Sequence, residues 1–241
     1  MTREKSITSK NSLQVMPLIL HIETATTNCS VALSKGEQLL TLHEVNEGYR
    51  HAEALSSLIQ AGIEQAGMAF RDLDAVALSM GPGSYTGLRI GSSAAKGLAY
   101  GLDIPVIGIE TLEALAMHSV EDYSSNCIRL PMLDARRMEV YVAAFKGTSR
   151  IRETEALVVN EYSFASIEEQ KVLYGPGADK LEQLLANRND VTIKKGVYPT
   201  AKNMVVPAYE RFLNKQFIDT AYFEPFYLKD FIAGKPKSPL R

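Results

Sequence analysis

Two stretches of the chain combine residue types that could do chemistry. The first is Gly81-Pro82-Gly83-Ser84, followed by Arg89. A turn of this kind opening a helix delivers backbone amides to one place, and with Arg89 in the first turn it makes a ready anion site. It lacks the Lys and hydroxyl of a GxxxxGK[ST] phosphate loop, so alone it is a weak nucleotide signal. Ser84 as a nucleophile has no His or carboxylate placed by sequence to activate it. The second stretch is Asp134-Ala135-Arg136-Arg137 with Glu139 and Tyr141. It reads as a tight turn whose charges are solvated or pair with one another, or as two arginines that bind a phosphate or a partner carboxylate. The four histidines, His21, His43, His51 and His118, include no two spaced three to five residues apart, and so form no helical metal pair. His51, beside Arg50 and Glu53, reads as a capping or interface residue, and His21 as a satisfied strand residue.

These residues need elements to hold them. Ala75 to Ser79 is a short apolar run, predicted as a buried strand feeding the glycine loop. A helix is expected from Gly87 to Gly101, with Thr86 as N-cap and Gly101 as a left-handed C-cap. Gly87, Gly91, Ala95 and Ala99 fall in one row along it, which lets another backbone approach closely. The row either packs on the chain's own sheet or offers a face to a partner subunit. Before this unit, strands are predicted at 18–23, 29–34 and 38–45, then a helix over 51–66 with Ala52, Leu55, Ile59, Gly62 and Ala66 on its apolar face. After it come a strand at 105–109 and a helix at 111–118. Strands at 127–133, 138–145, 156–160 and 171–174 follow, then a helix to about residue 185 and another at 200–213. A meander followed by alternating helix and strand implies a mixed sheet flanked by helices. Lys171 to Tyr174 leads into Gly175-Pro176-Gly177, an echo of the earlier loop that suggests two similarly built lobes.

The 241 residues can bury a substantial core, and 46% hydrophobic with 22% charged residues is an ordinary soluble composition. A formal net charge of −2 argues against a broad nucleic-acid-binding face. Cys29 and Cys127 make neither a disulfide framework nor a metal spacing, which fits a reducing cytoplasm. No stretch approaches the roughly 20 apolar residues of a membrane span. Residues 1–16 read as a disordered extension and 233–241 as a flexible, solvated tail.

ILHIETATTNCSVALS, GPGSYTGLRIGSSAAKGLAYGLDIPVIGIETLEALA, PMLDARRMEVY and PFYLKD together resemble the TsaB (YeaZ) family, over most of residues 17–230. These are glycoprotease-like subunits of the machinery that makes threonylcarbamoyladenosine in tRNA. The resemblance implies an α/β, actin-like ATPase (ribonuclease H-like) fold of two small lobes, each a mixed sheet flanked by helices. The first lobe would hold 17–110, joined by a returning segment at 215–232, and the second 111–214. It implies a non-catalytic subunit that pairs with a TsaD-like catalytic protein and a TsaE-like ATPase, forms a homodimer when alone, and meets tRNA only through the complex. The partner face would lie on the first-lobe helices, at His51, Leu55, Leu58, Ile59, Gly87, Leu88, Gly91, Ala94, Ala95 and Leu98. In ATPases of this fold the turn after the first strand holds phosphate. The corresponding contacts here would be Glu23, Thr24, Gly81, Gly83, Ser84 and Arg89, although Glu23 stands where an Asp is usual. No cofactor of its own is expected, with a nucleotide possible only at the joint between subunits. The other reading is a self-sufficient actin-like ATPase or small-molecule kinase that uses those same residues.

Overall fold

The computed structural model describes residues 16–48, 50–118 and 126–228, so the expectations for 1–15 and 233–241 lie outside it. Leu18 to Glu23 forms β1, and every residue in it is buried. The reason is that both of its faces are covered. Leu18, Leu20 and Ile22 look toward one core, with Val31, Leu33, Val76 and Leu78. Ile19 looks the other way, with Ala75, Ala77, Ile107 and Ile109. A strand buried on both sides has no polar face to alternate with, which explains the unbroken apolar run.

Around β1 stand β2 (Cys29–Lys35), β3 (Gln38–Val45), β4 (Ala75–Ser79) and β5 (Val106–Ile109), in the order β3-β2-β1-β4-β5. β2 is antiparallel to β1 and to β3, while β4 and β5 run parallel to β1. The second sheet holds β6 (Ile128–Asp134), β7 (Glu139–Lys146), β8 (Ser149–Val158), β9 (Lys171–Tyr174) and β10 (Val191–Lys194). Its order is β10-β9-β6-β7-β8, with β7 antiparallel to β6 and β8, and β9 and β10 parallel to β6. Strand for strand this is the first sheet again, so the echo of Gly-Pro-Gly loops reflects a repeated architecture.

Helix α1 (His51–Gln65) and helix α2 (Tyr85–Leu102) cover one face of the first sheet. Leu55, Ile59, Ile63, Ala95 and Ala99 fill the core there, and fully burying side chains of Leu or Ile size contributes about 1.5–3 kcal/mol each. Ala52, expected on the apolar face of α1, is exposed, and Ile63 takes its place inside. The N-cap of α2 is Ser84, whose hydroxyl accepts from the Gly87 amide at 3.3 Å, so the helix starts two residues before Gly87. It ends at Asp103, with φ 55°, rather than at Gly101. A short polar side chain tolerates that left-handed conformation.

The other face of the first sheet is covered from a distance in sequence. A 3-10 turn at Ala201–Met204 and helix α5 (Val205–Leu213) place Met204 and Ala208 against Ile19, Ala77 and Ile107. The segment 201–213, expected in the second lobe, therefore packs on the first. The chain comes back to the first sheet near residue 200, not 215. Helix α3 (Thr111–Ala116) lies between the sheets: Leu112 and Leu115 pack with Leu133, Phe145 and Tyr174, while Ala114 joins the first-sheet cluster. The far face of the second sheet is closed by Phe164, Ala178, Leu181 and Leu185, the last on the four-residue helix α4 (Glu182–Leu185). After α5 the chain runs as a strap back along the first sheet. The Ile218 amide bonds the Val106 carbonyl at 2.9 Å, and the Phe226 amide bonds that of Met80 at 2.7 Å.

Candidate functional site

The hydroxyl-rich turn between β1 and β2 is held at each residue from Glu23 to Thr26. Glu23 Oε1 accepts from the Ala25 amide at 2.6 Å. Thr24 Oγ1 donates to the Gly87 carbonyl at 2.8 Å, and the Ser84 amide donates to the Ala25 carbonyl at 2.7 Å. His51 Nε2 lies 2.6 Å from the Thr26 carbonyl oxygen. A carbonyl can only accept, so that nitrogen carries the proton. Beyond them, Asn28 Nδ2 donates to the Pro199 carbonyl at 3.0 Å, which anchors the far end of the turn to the linker that returns from the second lobe.

What occupies the space over the turn is α2 itself. A Cβ on Gly87 would lie 2.1 Å from the Thr24 carbonyl oxygen, and one on Gly91 would lie 2.3 Å from Thr24 Oγ1. A Cβ on Gly83 would sit 2.5 Å from the Ala25 carbonyl oxygen. These distances admit no side chain. The small residues of the loop and helix serve the close approach of α2 to the chain's own turn, with Ala95 and Ala99 continuing the contact into the core. Of the two readings of the row, packing on the chain's own fold is the one these contacts describe for Gly87 and Gly91. Of the residues assigned to the partner face, His51, Leu55, Ile59, Gly87, Leu88, Gly91 and Ala95 are buried. Leu58, Ala94 and Leu98 are half-buried and pack against the same core. The free sides of the two helices instead carry Ala52, Ser56, Gln60, Ser93, Gly97 and Tyr100, the last 94% exposed.

Of the predicted anion contacts, Glu23, Thr24, Gly83 and Ser84 come together at this turn, and Arg89 does not. Glu23 is fully buried, and its Oε2 has no hydrogen-bond partner among the described residues. Burial pushes its carboxyl up to about 7, against the lowering pull of the Ala25 amide, the Ser79 hydroxyl and the Thr24 amide. The same burial, with Glu23 nearby, raises the Cys29 thiol to about 11. Arg89 is exposed, with its guanidinium 4.1 Å over the Tyr85 ring and 3.4 Å from the Tyr227 hydroxyl. It is held by the strap, away from the loop. Gly81, at φ 107°, lies under that strap: a Cβ there would meet the Phe226 carbonyl oxygen at 2.7 Å.

The strap lies within the returning segment expected at 215–232, and what sequence reasoning left out is its contact with α2. Lys96 donates to the Phe223 carbonyl at 2.8 Å, and the Tyr85 and Tyr227 rings lie 5.0 Å apart. The strap forms one wall of a cleft of about 530 Å³, with Met80 and Glu110 in the other wall. The aromatic run Phe223-Glu224-Pro225-Phe226-Tyr227 was a visible signal, but no local period says what it packs on.

In the second lobe the charged hairpin forms between β6 and β7. Asp134 Oδ1 accepts from the Arg136 amide at 2.9 Å and pairs with Lys180, which also donates to the Glu139 carbonyl at 2.6 Å. Arg136 and Arg137 are exposed, at φ 72° and 48°. His21 is a core residue with Nε2 2.8 Å from Ser34 Oγ, and burial lowers its pKa to about 3. No three His, Cys, Asp or Glu side chains converge on one point among the described residues. No helix among them is long and apolar enough to cross a membrane.

Two tandem sheets of order 3-2-1-4-5, each with its second strand reversed, define the actin-like class of α/β proteins. The YeaZ protein of Pseudomonas aeruginosa superimposes with a TM-score of 0.74 at 25% identity, over 88% of this chain and all of that one. The family model described as TsaD, tRNA N6-adenosine threonylcarbamoyltransferase, matches residues 47–233. The protein named tRNA threonylcarbamoyladenosine biosynthesis protein TsaB of Escherichia coli is 30% identical over 90% of this chain and 96% of its own length. Its Haemophilus influenzae namesake is 28% identical over 90% and 95%. The chain belongs to the TsaB (YeaZ) family, within the broader group that the TsaD model describes.

Proposed function

We propose that the chain takes part in making threonylcarbamoyladenosine in tRNA, as the names of its relatives state for them, and that it does so as a subunit without chemistry of its own. The observation that carries this reading is the filling of the first-lobe cradle. In an actin-like ATPase the turn after the first strand must leave donors free for phosphate. Here the Thr24 hydroxyl is committed to Gly87, the Ala25 amide to Glu23, and α2 packs directly against the turn.

The runner-up, a self-sufficient ATPase or kinase, needs Glu23 charged and the turn opened, at the cost of uncovering the α2 contact. As a subunit, the chain pairs with a TsaD-like catalytic protein and a TsaE-like ATPase in the cytoplasm and forms a homodimer when alone. It acts on tRNA as a member of the complex, and any nucleotide lies at the joint between subunits. The pairing surface in this proposal is the free side of α1 and α2, around Tyr100 and the half-buried Leu58, Ala94 and Leu98. Light scattering of the chain alone and mixed with the TsaD-like protein of its organism tests it. Conversion of a homodimer to a one-to-one pair supports the reading. A monomer indifferent to that protein overturns it.

A further inference from the structure

The β6–β7 hairpin holds two cations that nothing in the fold uses. The other arginines described after residue 120 are all engaged. Arg129 donates to the Ala116 and Gly147 carbonyls. Arg150, Arg152, Arg188 and Arg211 pair with Glu110, Glu155, Asp190 and Glu113. Arg136 and Arg137 are exposed, and neither makes an ion pair among the described residues. Carboxylates are close at hand in sequence, yet Asp134 is turned to Lys180 and to the Arg136 backbone amide. Lys180 in turn clamps the opposite strand through the Glu139 carbonyl. Successive residues at φ 72° and 48° are unfavourable for any side chain with a Cβ. The hairpin thus fixes a strained backbone with its own carboxylate and leaves two adjacent guanidinium groups unshielded in solvent.

We propose that Arg136 and Arg137 grip the sugar–phosphate backbone of the RNA on which the assembly acts, an inference that rests on the functional reading above. Guanidinium groups match phosphate oxygens through paired N–H donors. A polyanion with a charge on every residue can satisfy two adjacent arginines whichever way they splay, whereas a protein face needs two acids placed to match. The net charge of −2 supplies no broad attraction, so this contact is a local one that adds to whatever the partner provides.

The test uses the full chain, its TsaD-like partner and a fluorescent unmodified tRNA transcript, with anisotropy read between 50 and 200 mM salt. Arg136→Ala/Arg137→Ala weakens tRNA binding roughly tenfold at low salt and makes the salt dependence shallower by about two. Arg136→Lys/Arg137→Lys keeps the salt dependence and loses part of the affinity. Light scattering on the same samples reports subunit pairing. Equal affinity and salt dependence in wild type and the alanine variant overturn the proposal alone. Lost pairing with unaltered tRNA binding also overturns it and makes an acidic protein face the partner. If the wild-type assembly binds no tRNA, the functional reading fails together with the proposal.

Discussion

The two lobes share one sheet plan and put it to opposite uses. Glu23 ends β1 and Asp134 ends β6, at equivalent places in their sheets. A Gly-Pro-Gly loop rests beside each: a Cβ on Gly83 would meet the carbonyl oxygen of Ala25, in the turn after Glu23, and one on Gly177 that of Leu133, the β6 residue before Asp134, both at 2.5 Å. In the first lobe an 18-residue helix closes over the turn and Glu23 is sealed without a cation. In the second, the loop leads only to a 3-10 turn and the four-residue α4, and Asp134 stays in solvent, its side chain 53% exposed, against Lys180. One frame thus yields a closed cradle and an open, charged hairpin, and the length of the helix after the loop makes the difference.

The largest effect follows from that closure. Gly87→Leu drives a side chain into the Thr24 carbonyl and the His51 ring, so its cost exceeds about 4 kcal/mol, and denaturant titration shows a largely unfolded chain. Gly97→Leu, on the same helix with nothing within 4 Å of its Cβ, leaves stability equal or up to about 1 kcal/mol higher. Equal losses at both positions would break the contrast between the two sides of α2.

Next in size is a pH effect. Burial holds the Glu23 carboxyl near 7 in the folded state, against an ordinary 4.5, so between those limits the folded state holds the extra proton and stability falls as pH rises. His21 titrates near 3 when folded against 6.5, so the unfolded state holds the extra proton and stability rises with pH over that window. Between pH 4.5 and 6.5 the two slopes cancel. Glu23→Gln removes one, and stability then climbs by about 1.4 kcal/mol per pH unit, read from urea midpoints across the window. Were stability to stay flat across the window in Glu23→Gln, the Glu23 carboxyl would not be sealed as described.

The smallest effect is at the hairpin. Lys180→Ala costs about 0.5–1 kcal/mol, because the Asp134 pair is largely solvated, and it loosens the β6–β7 turn in amide exchange while the first lobe keeps its protection.

Much of the fold was legible. Leu18 to Glu23 reads as a central strand because burial on both faces demands an unbroken apolar run, and the two Gly-Pro-Gly loops betray the repeat. β10 was missed because Val191-Thr192-Ile193-Lys194 is a half-exposed edge with little apolar signal. The placement of 201–213 on the first sheet was not legible, because helical periodicity says that one face is buried and not against what. The small-residue row shows the same limit at the candidate site. Its spacing announced a close backbone approach, and only the structure shows that the approaching backbone is the chain's own Thr24.

The central claim is that this closed cradle leaves the chain without nucleotide chemistry. The most direct measurement is ATP turnover by the purified chain with magnesium, beside its Glu23→Gln variant. The account predicts no turnover above buffer for either protein. Metal-dependent turnover by the wild type that disappears in the variant would contradict it, and would mean that α2 lifts from the turn to admit phosphate.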